Sequence, residues 1–202
     1  MSASQELRAE TLAQTTTVNE TTKPETYPVS PVTTVTTLEW SSLSIDNDVV
    51  VEEPAPTTLQ IEAIGVTAPV IPLGVVADTG QMEVPDNVDE VGWYRFGPTP
   101  GQPGSSVLAA HVDLYGEGPG VFYNLDRLLP GDSISVLFEG GETTTFVVTS
   151  SERVPKGGLA VESIFSQDGE PVLTLITCGG AFNYSSRTYD DNVVVTAQLE
   201  SP

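Results

Sequence analysis

Two reactive residue types occur once each in this chain of 202 residues, the cysteine Cys178 and the histidine His111. Any thiol or imidazole chemistry must therefore use these two positions. Both follow short apolar runs, Leu173–Ile176 and Val107–Ala110, which are typical of buried strands. Such a pair at two strand ends indicates nucleophilic catalysis by a thiol with a histidine base. The alternatives are a cysteine that packs as a small buried hydrophobe and a histidine that is a satisfied surface residue.

The residues after Cys178 predict how the nucleophile would be presented. Two glycines, Gly179 and Gly180, follow it directly, so we expect the strand to stop at the cysteine and a polar loop to run to Asp191. Backbone N–H groups at Gly179 could then help to position a substrate. Arg187 is the one arginine after Cys178. It is either a solvated loop charge or a cation beside the thiolate that can hold an oxyanion.

Metal-dependent, phosphate-binding and serine-hydrolase chemistries lack the residues they need. Catalysis by paired carboxylates stays open in so acidic a chain, although no spacing singles out a pair. One histidine and one cysteine, even with Asp113 two residues after His111, fall short of a convincing zinc site. No Gly-rich phosphate loop lies between a strand and a helix, and the Gly-x-Ser-x-Gly motif of many serine hydrolases is absent. We therefore expect neither a metal ion nor a cofactor.

Charge and composition limit the possible partners. The net charge is −21, from 7 basic and 28 acidic residues. Nucleic acids and anionic membrane surfaces would repel such a chain. The single cysteine excludes an internal disulfide. No apolar run approaches the roughly 18 residues of a spanning helix, so we expect any membrane anchor to lie upstream of this sequence.

The composition divides the chain in two. Residues 1–57 are rich in Thr, Pro and Glu, and such a segment buries too little apolar surface to order itself. It is predicted to be a flexible stalk or linker. Residues 58–202 show about eight short apolar or alternating runs separated by Gly/Pro turns, which predicts an all-β barrel or sandwich. Within residues 58–202, helix is expected only in short segments at 121–129 and 159–165.

The segment Leu175-Ile176-Thr177-Cys178 resembles the Thr-Leu-x-Thr-Cys signature of sortases, the cysteine transpeptidases of Gram-positive cell surfaces. Residues 58–199 as a whole resemble the class F sortases of actinobacteria. The motifs that carry this resemblance, in chain order, are Val91-Gly92-Trp93-Tyr94, Ala110-His111-Val112-Asp113, Gly118-Pro119-Gly120-Val121-Phe122, Leu129-Pro130-Gly131-Asp132, Cys178-Gly179-Gly180-Ala181-Phe182 and Asp191-Asn192-Val193-Val194-Val195.

The resemblance implies an eight-stranded barrel over residues 58–202 and a monomeric, exported enzyme at the outer face of the membrane or in the cell wall. Its substrates would be surface proteins with a Leu-Pro-x-Thr-Gly-like sorting signal. Cys178 would form a thioacyl intermediate, and an amine of a peptidoglycan precursor would resolve it. His111 would be the general acid and then the base, while Thr177 would help to shape the oxyanion site.

The sequence departs from the family pattern at two places. Ala110 stands where the family often has glycine before the histidine. The family arginine commonly lies nearer the last strand, where this chain has Asp190 and Asp191, so Arg187 is the candidate for that role. Two other functions remain open at this point, an acyl-transferase of the L,D-transpeptidase kind and a non-catalytic surface β-domain.

Overall fold

The computed structural model describes residues 53–200. The predicted stalk, residues 1–57, lies almost entirely outside the described residues. The first strand begins at Pro56, two residues before the predicted start of the domain. The division into a stalk and a catalytic domain stays a prediction.

Ten strands account for just under half of the described chain. They are β1 (Pro56–Ile61), β2 (Val66–Leu73), β3 (Val91–Tyr94), β4 (Ser105–Ala109), β5 (Asp113–Leu114), β6 (Gly118–Pro119), β7 (Ser133–Phe138), β8 (Thr143–Pro155), β9 (Val172–Asn183) and β10 (Thr188–Leu199). Eight of them close a barrel in the order β1-β2-β3-β4-β9-β10-β8-β7, and β5 and β6 form a separate small hairpin. The predicted eight-stranded β-barrel is confirmed.

Helical structure is confined to short segments, as expected. The helix α1 spans Val161–Ile164, within the segment predicted at 159–165, and three 3₁₀ turns span Glu62–Ile64, Leu125–Arg127 and Lys156–Gly158. The segment at 121–129 forms only one of these turns, because Leu128 is extended and leads into the turn at Pro130-Gly131. Within residues 53–200, no helix has the length and apolar character needed to cross a bilayer.

Alternating side chains from the barrel strands fill its interior. On β7 the buried positions are Ile134, Val136 and Phe138, and the residues between them are less buried. β4 differs because all five of its residues are buried, as expected for a strand covered on both faces. Its polar side chains are satisfied: Ser105 Oγ lies 2.9 Å from Thr174 Oγ1 on β9. β4 is thus a fixed central strand, and it leads directly to His111.

The expectation that the strand stops at Cys178 is wrong. β9 continues to Asn183 and β10 begins at Thr188, so only residues 184–187 form the turn between them. Gly179 and Gly180 allow β9 and β10 to pack closely together, and they do not end β9. A Cβ on Gly179 would lie 2.8 Å from Val193 Cγ2. Gly180 adopts φ +78° next to a register shift between Tyr189 and Asp191, which is how glycine commonly serves a β-bulge.

We predict that Gly179→Ala lowers the free energy of unfolding by about 1–3 kcal/mol, because the added methyl group overpacks the contact with Val193. Urea denaturation of the full chain measures this change. Gly157→Ala is the matched control, since nothing lies within 4 Å of its Cβ position, and it should be neutral or slightly stabilising. Equal effects of the two substitutions would contradict the close packing at Gly179.

Candidate active site

The register of two neighbouring parallel strands places His111 beside Cys178. β4 pairs with β9 so that Ala109 lies opposite Ile176. His111 and Cys178 each lie two residues beyond this last pair. The backbone N–H of Ala110 still donates to the carbonyl of Ile176, at 3.3 Å, so the two chains remain together past the strand end. The two singly occurring residues therefore lie at the same level at one end of the barrel.

A side-chain hydrogen bond continues this pairing. Thr177 Oγ1 donates to the carbonyl of Ala110 at 2.8 Å, inside the protein, and Thr177 is only 4% exposed. The residue before the cysteine is thus bonded to the residue before the histidine. Because this hydroxyl proton is already donated, the hydroxyl of Thr177 holds the two segments together in this arrangement. Its predicted part in the oxyanion site stays a prediction.

His111 is half-buried and its ring is held by the backbone. Nε2 lies 2.8 Å from the carbonyl of Pro85. A carbonyl can only accept a hydrogen bond, so Nε2 carries a proton here and Nδ1 is the nitrogen left to exchange one. The carbonyl of His111 accepts from Phe122 N–H at 3.2 Å. Gly120 packs so tightly against that carbonyl that a Cβ would overlap it.

Cys178 is a free, half-buried thiol on β9, directly opposite Asn192 of β10. It lines a cleft of about 750 Å³, large enough for a peptide segment. The residues that share this cleft come from two places. One is the β5 segment after His111, and the other is the hairpin formed by the end of β9, the turn and the start of β10. They are Asp113, Leu114, Tyr115, Phe182, Tyr184, Arg187, Thr188 and Tyr189.

Arg187 lies in the β9–β10 turn and lines the same cleft as Cys178. The turn is shaped by Asn183, whose Oδ1 accepts from the backbone N–H groups of Ser185 at 3.0 Å and Ser186 at 3.3 Å. Arg187 has φ +53° and is the one non-glycine residue of the described chain with a positive φ. This left-handed conformation is unfavourable for residues with a side chain, and such strain commonly accompanies function. The exposed guanidinium is thus held at the cleft at a cost in backbone energy.

An aromatic and acidic wall faces the cleft, and sequence reasoning missed most of it. Tyr189 O–H donates to Asp113 Oδ2 at 2.5 Å. This hydrogen bond, together with burial, raises the pKa of Tyr189 to about 12. Phe182 packs edge-to-face against Tyr184 and Tyr189, each with ring centroids 5.1 Å apart. Phe182 and Tyr184 alternate in a segment that is predicted to be a loop, and this alternation is the signal for those two residues. From the sequence, Asp113 enters only as a possible metal ligand and as part of a motif that resembles class F sortases.

Together these groups fit acyl transfer. A thiol on β9, an imidazole just beyond the end of the neighbouring β4 and a guanidinium in the cleft of the thiol supply a nucleophile, an acid–base group and an oxyanion partner. Over residues 53–200, no cluster of three or more His, Cys, Asp or Glu side chains is arranged to hold a metal ion. The structure thus brings Cys178 and Arg187 to one cleft, and it places His111 in the segment that follows the neighbouring strand β4.

A family model and several solved structures match this chain. A family model described as the sortase domain matches residues 59–200. Sortase C-1 from Actinomyces oris is 24% identical with a TM-score of 0.56, over 72% of this chain and 74% of that chain. The sortase D5 transpeptidase of Clostridium perfringens is 20% identical with a TM-score of 0.53, over 73% and 79%.

Sortase A from Corynebacterium diphtheriae is 19% identical with a TM-score of 0.54, over 74% of this chain and 62% of that chain. At these identities the structural matches show the shared fold. A comparison with curated proteins gives no significant match. The family match covers almost all of the described residues and favours a transpeptidase over the other two functions considered. The chain therefore belongs to the sortase family, the cysteine transpeptidases of surface proteins.

Proposed function

We propose that this sortase cleaves a Leu-Pro-x-Thr-Gly-like sorting signal and joins the protein to an amine of a peptidoglycan precursor. One observation carries the proposal: the β4–β9 register brings His111 level with Cys178, beside a cleft that also contains Arg187. The sequence motifs that resemble class F sortases, such as Ala110-His111-Val112-Asp113, support assignment to that class.

In the first half of the reaction, Cys178 Sγ attacks the carbonyl carbon of the signal's threonine. The thiol proton of Cys178 passes to His111, and the attack forms the S–C bond of a tetrahedral intermediate. When the C–N bond to the following glycine breaks, this intermediate collapses to the thioacyl-enzyme, and His111 gives the proton to the leaving amine. Because Nε2 is bonded to the Pro85 carbonyl, Nδ1 is the nitrogen we assign to this transfer.

The second half reverses these steps with a new amine. The incoming amine attacks the thioester carbonyl, His111 accepts its proton, and the thiolate of Cys178 leaves. Water in place of the amine gives slow hydrolysis. The half-buried position of Cys178 supports transfer to an amine, because partial exclusion of water protects a thioester from hydrolysis.

Arg187 is proposed to stabilise the negative charge that develops on the carbonyl oxygen. Thr177 contributes by position, because its hydroxyl ties the cysteine strand to the residue before His111. Gly179 contributes by having no side chain, since Val193 occupies the space where a Cβ would lie. Both residues thereby set where the reacting carbonyl can sit beside Cys178.

A peptidoglycan amine and exported surface proteins meet only outside the cytoplasm. We therefore propose that the enzyme works at the outer face of the membrane or in the cell wall. We also propose that it works as a monomer. The net charge of −21 supports solubility in that setting.

We predict that Cys178→Ala and His111→Ala each reduce turnover of a sorting-signal peptide at least about 10³-fold, because each removes a group that takes part in both halves of the reaction. Mass spectrometry of the full chain with a Leu-Pro-x-Thr-Gly peptide and excess glycine amide measures the thioacyl adduct and the ligated product. Circular dichroism checks that both variants remain folded. Undiminished product from Cys178→Ala would refute the mechanism.

We predict that Arg187→Gly separates stability from activity. Glycine adopts φ +53° without steric cost, so the free energy of unfolding should rise by about 0.5–1 kcal/mol. Turnover should fall about 10²- to 10³-fold, because the oxyanion loses its cation. Urea denaturation and the peptide assay measure the two effects.

The matched control is Arg127→Gly. Arg127 is also an exposed arginine, but it lies in a 3₁₀ turn with ordinary backbone angles. Glycine there should lower stability by about 0.5–1 kcal/mol and leave turnover unchanged. A fall in stability at both positions would contradict the strain at Arg187, and full activity of Arg187→Gly would contradict its role.

A further inference from the structure

The cleft that Cys178 lines also contains two opposite charges. Among its lining residues, Asp113 is the carboxylate and Arg187 is the guanidinium. Side chains of this type attract each other and form bidentate pairs when their geometry allows it. Such a pair would occupy the donors of Arg187 that the proposed reaction needs for the carbonyl oxygen. In residues 53–200, however, the ion pair of the structure joins Arg153 to Asp126, and Arg187 has no carboxylate partner.

Asp113 is instead bonded to a neutral phenol. Tyr189 O–H donates to its Oδ2 at 2.5 Å, within the range of strong hydrogen bonds between a hydroxyl and a charged oxygen. The ring of Tyr189 is held by Phe182, at 5.1 Å and an interplanar angle of 70°. The pKa of Tyr189, raised to about 12, keeps the phenol protonated at any physiological pH. The donor is therefore always present.

The position of this hydrogen bond matters as much as its strength. Asp113 begins β5, two residues after His111, and Tyr189 is the second residue of β10, two residues after Arg187. The bond thus joins the histidine segment to the arginine turn along the wall of the cleft. It fixes the carboxylate on the β10 side by a contact that does not involve the guanidinium.

We propose that Tyr189 is a positioning residue: it holds the Asp113 carboxylate away from Arg187, so that the guanidinium stays available to the reacting carbonyl. The inference rests on the roles proposed above for Cys178 and Arg187. Without the phenol O–H, Asp113 would turn to the one cation of the cleft and withdraw it from catalysis.

The test compares Tyr189→Phe in two backgrounds, the wild-type full chain and the Asp113→Asn variant. Phenylalanine keeps the ring and removes the donor, and asparagine keeps an acceptor and removes the charge. In the wild-type background we expect kcat/KM for the sorting-signal peptide to fall about two- to fivefold. An exposed ion pair is weak, so a pair between Asp113 and Arg187 would withdraw the guanidinium only part of the time. In the Asp113→Asn background the same substitution should have no effect, because there is no carboxylate to compete.

The control is Tyr94→Phe, which removes a hydroxyl from another half-buried tyrosine. Tyr94 lies on β3 and packs against Phe96 and Phe165, outside the cleft, so kcat/KM should not change. Equal losses from Tyr189→Phe in both backgrounds would show a purely structural role and overturn the proposal. No loss in the wild-type background would overturn it as well.

A second measurement separates this inference from the proposed function. Cys178 is the one thiol of the chain, so its rate of alkylation by iodoacetamide reports on the thiolate and its neighbouring cation without any substrate. The same coupling between Tyr189→Phe and Asp113→Asn should appear in this rate. If the wild-type protein does not cleave the peptide but the alkylation rates are coupled, the sorting signal is wrong and the inference stands. Uncoupled rates with normal peptide turnover would overturn the inference alone.

Discussion

The active site depends on one pairing, that of the parallel strands β4 and β9. β4 is buried on both faces and its polar groups are satisfied within the protein, so it cannot slide without breaking the core. A shift by one residue would turn every side chain of a strand to its opposite face. The register that places Ala109 opposite Ile176, extended by the Thr177–Ala110 hydrogen bond, is therefore also what brings an imidazole level with a thiol.

The cleft depends on a second feature, the length of the β9–β10 hairpin. Because the strands continue past Cys178, the hairpin carries Phe182, Tyr189 and Arg187 out beside the nucleophile. Gly179 and Gly180 make this possible, the first by admitting Val193 and the second by its positive φ at the register shift. The same two glycines thus let the strands pack closely and help to position the hairpin residues that line the cleft.

The sequence was sufficient for the features that follow from local pattern and residue scarcity. Alternation predicted the barrel strands, and the single cysteine and histidine could be paired from the apolar runs before them. It was insufficient where glycine can either end a strand or allow close packing within one. Gly179-Gly180 predicted a strand end, but both residues lie inside β9. Once the segment after Cys178 was interpreted as a loop, the contact of Tyr189 with Asp113 could not be predicted, because it depends on the register of β10 against β9.

The charge balance explains why a cation in this cleft needs its surroundings controlled. With 28 acidic and 7 basic residues, each basic side chain has about four carboxylates available to pair with. Arg153, for example, is paired with Asp126. Two local features accompany the unpaired Arg187: a left-handed backbone in the turn that lines the cleft and a phenol that is bonded to Asp113, the carboxylate among the lining residues. In so acidic a protein, an available guanidinium is a consequence of specific contacts rather than of composition.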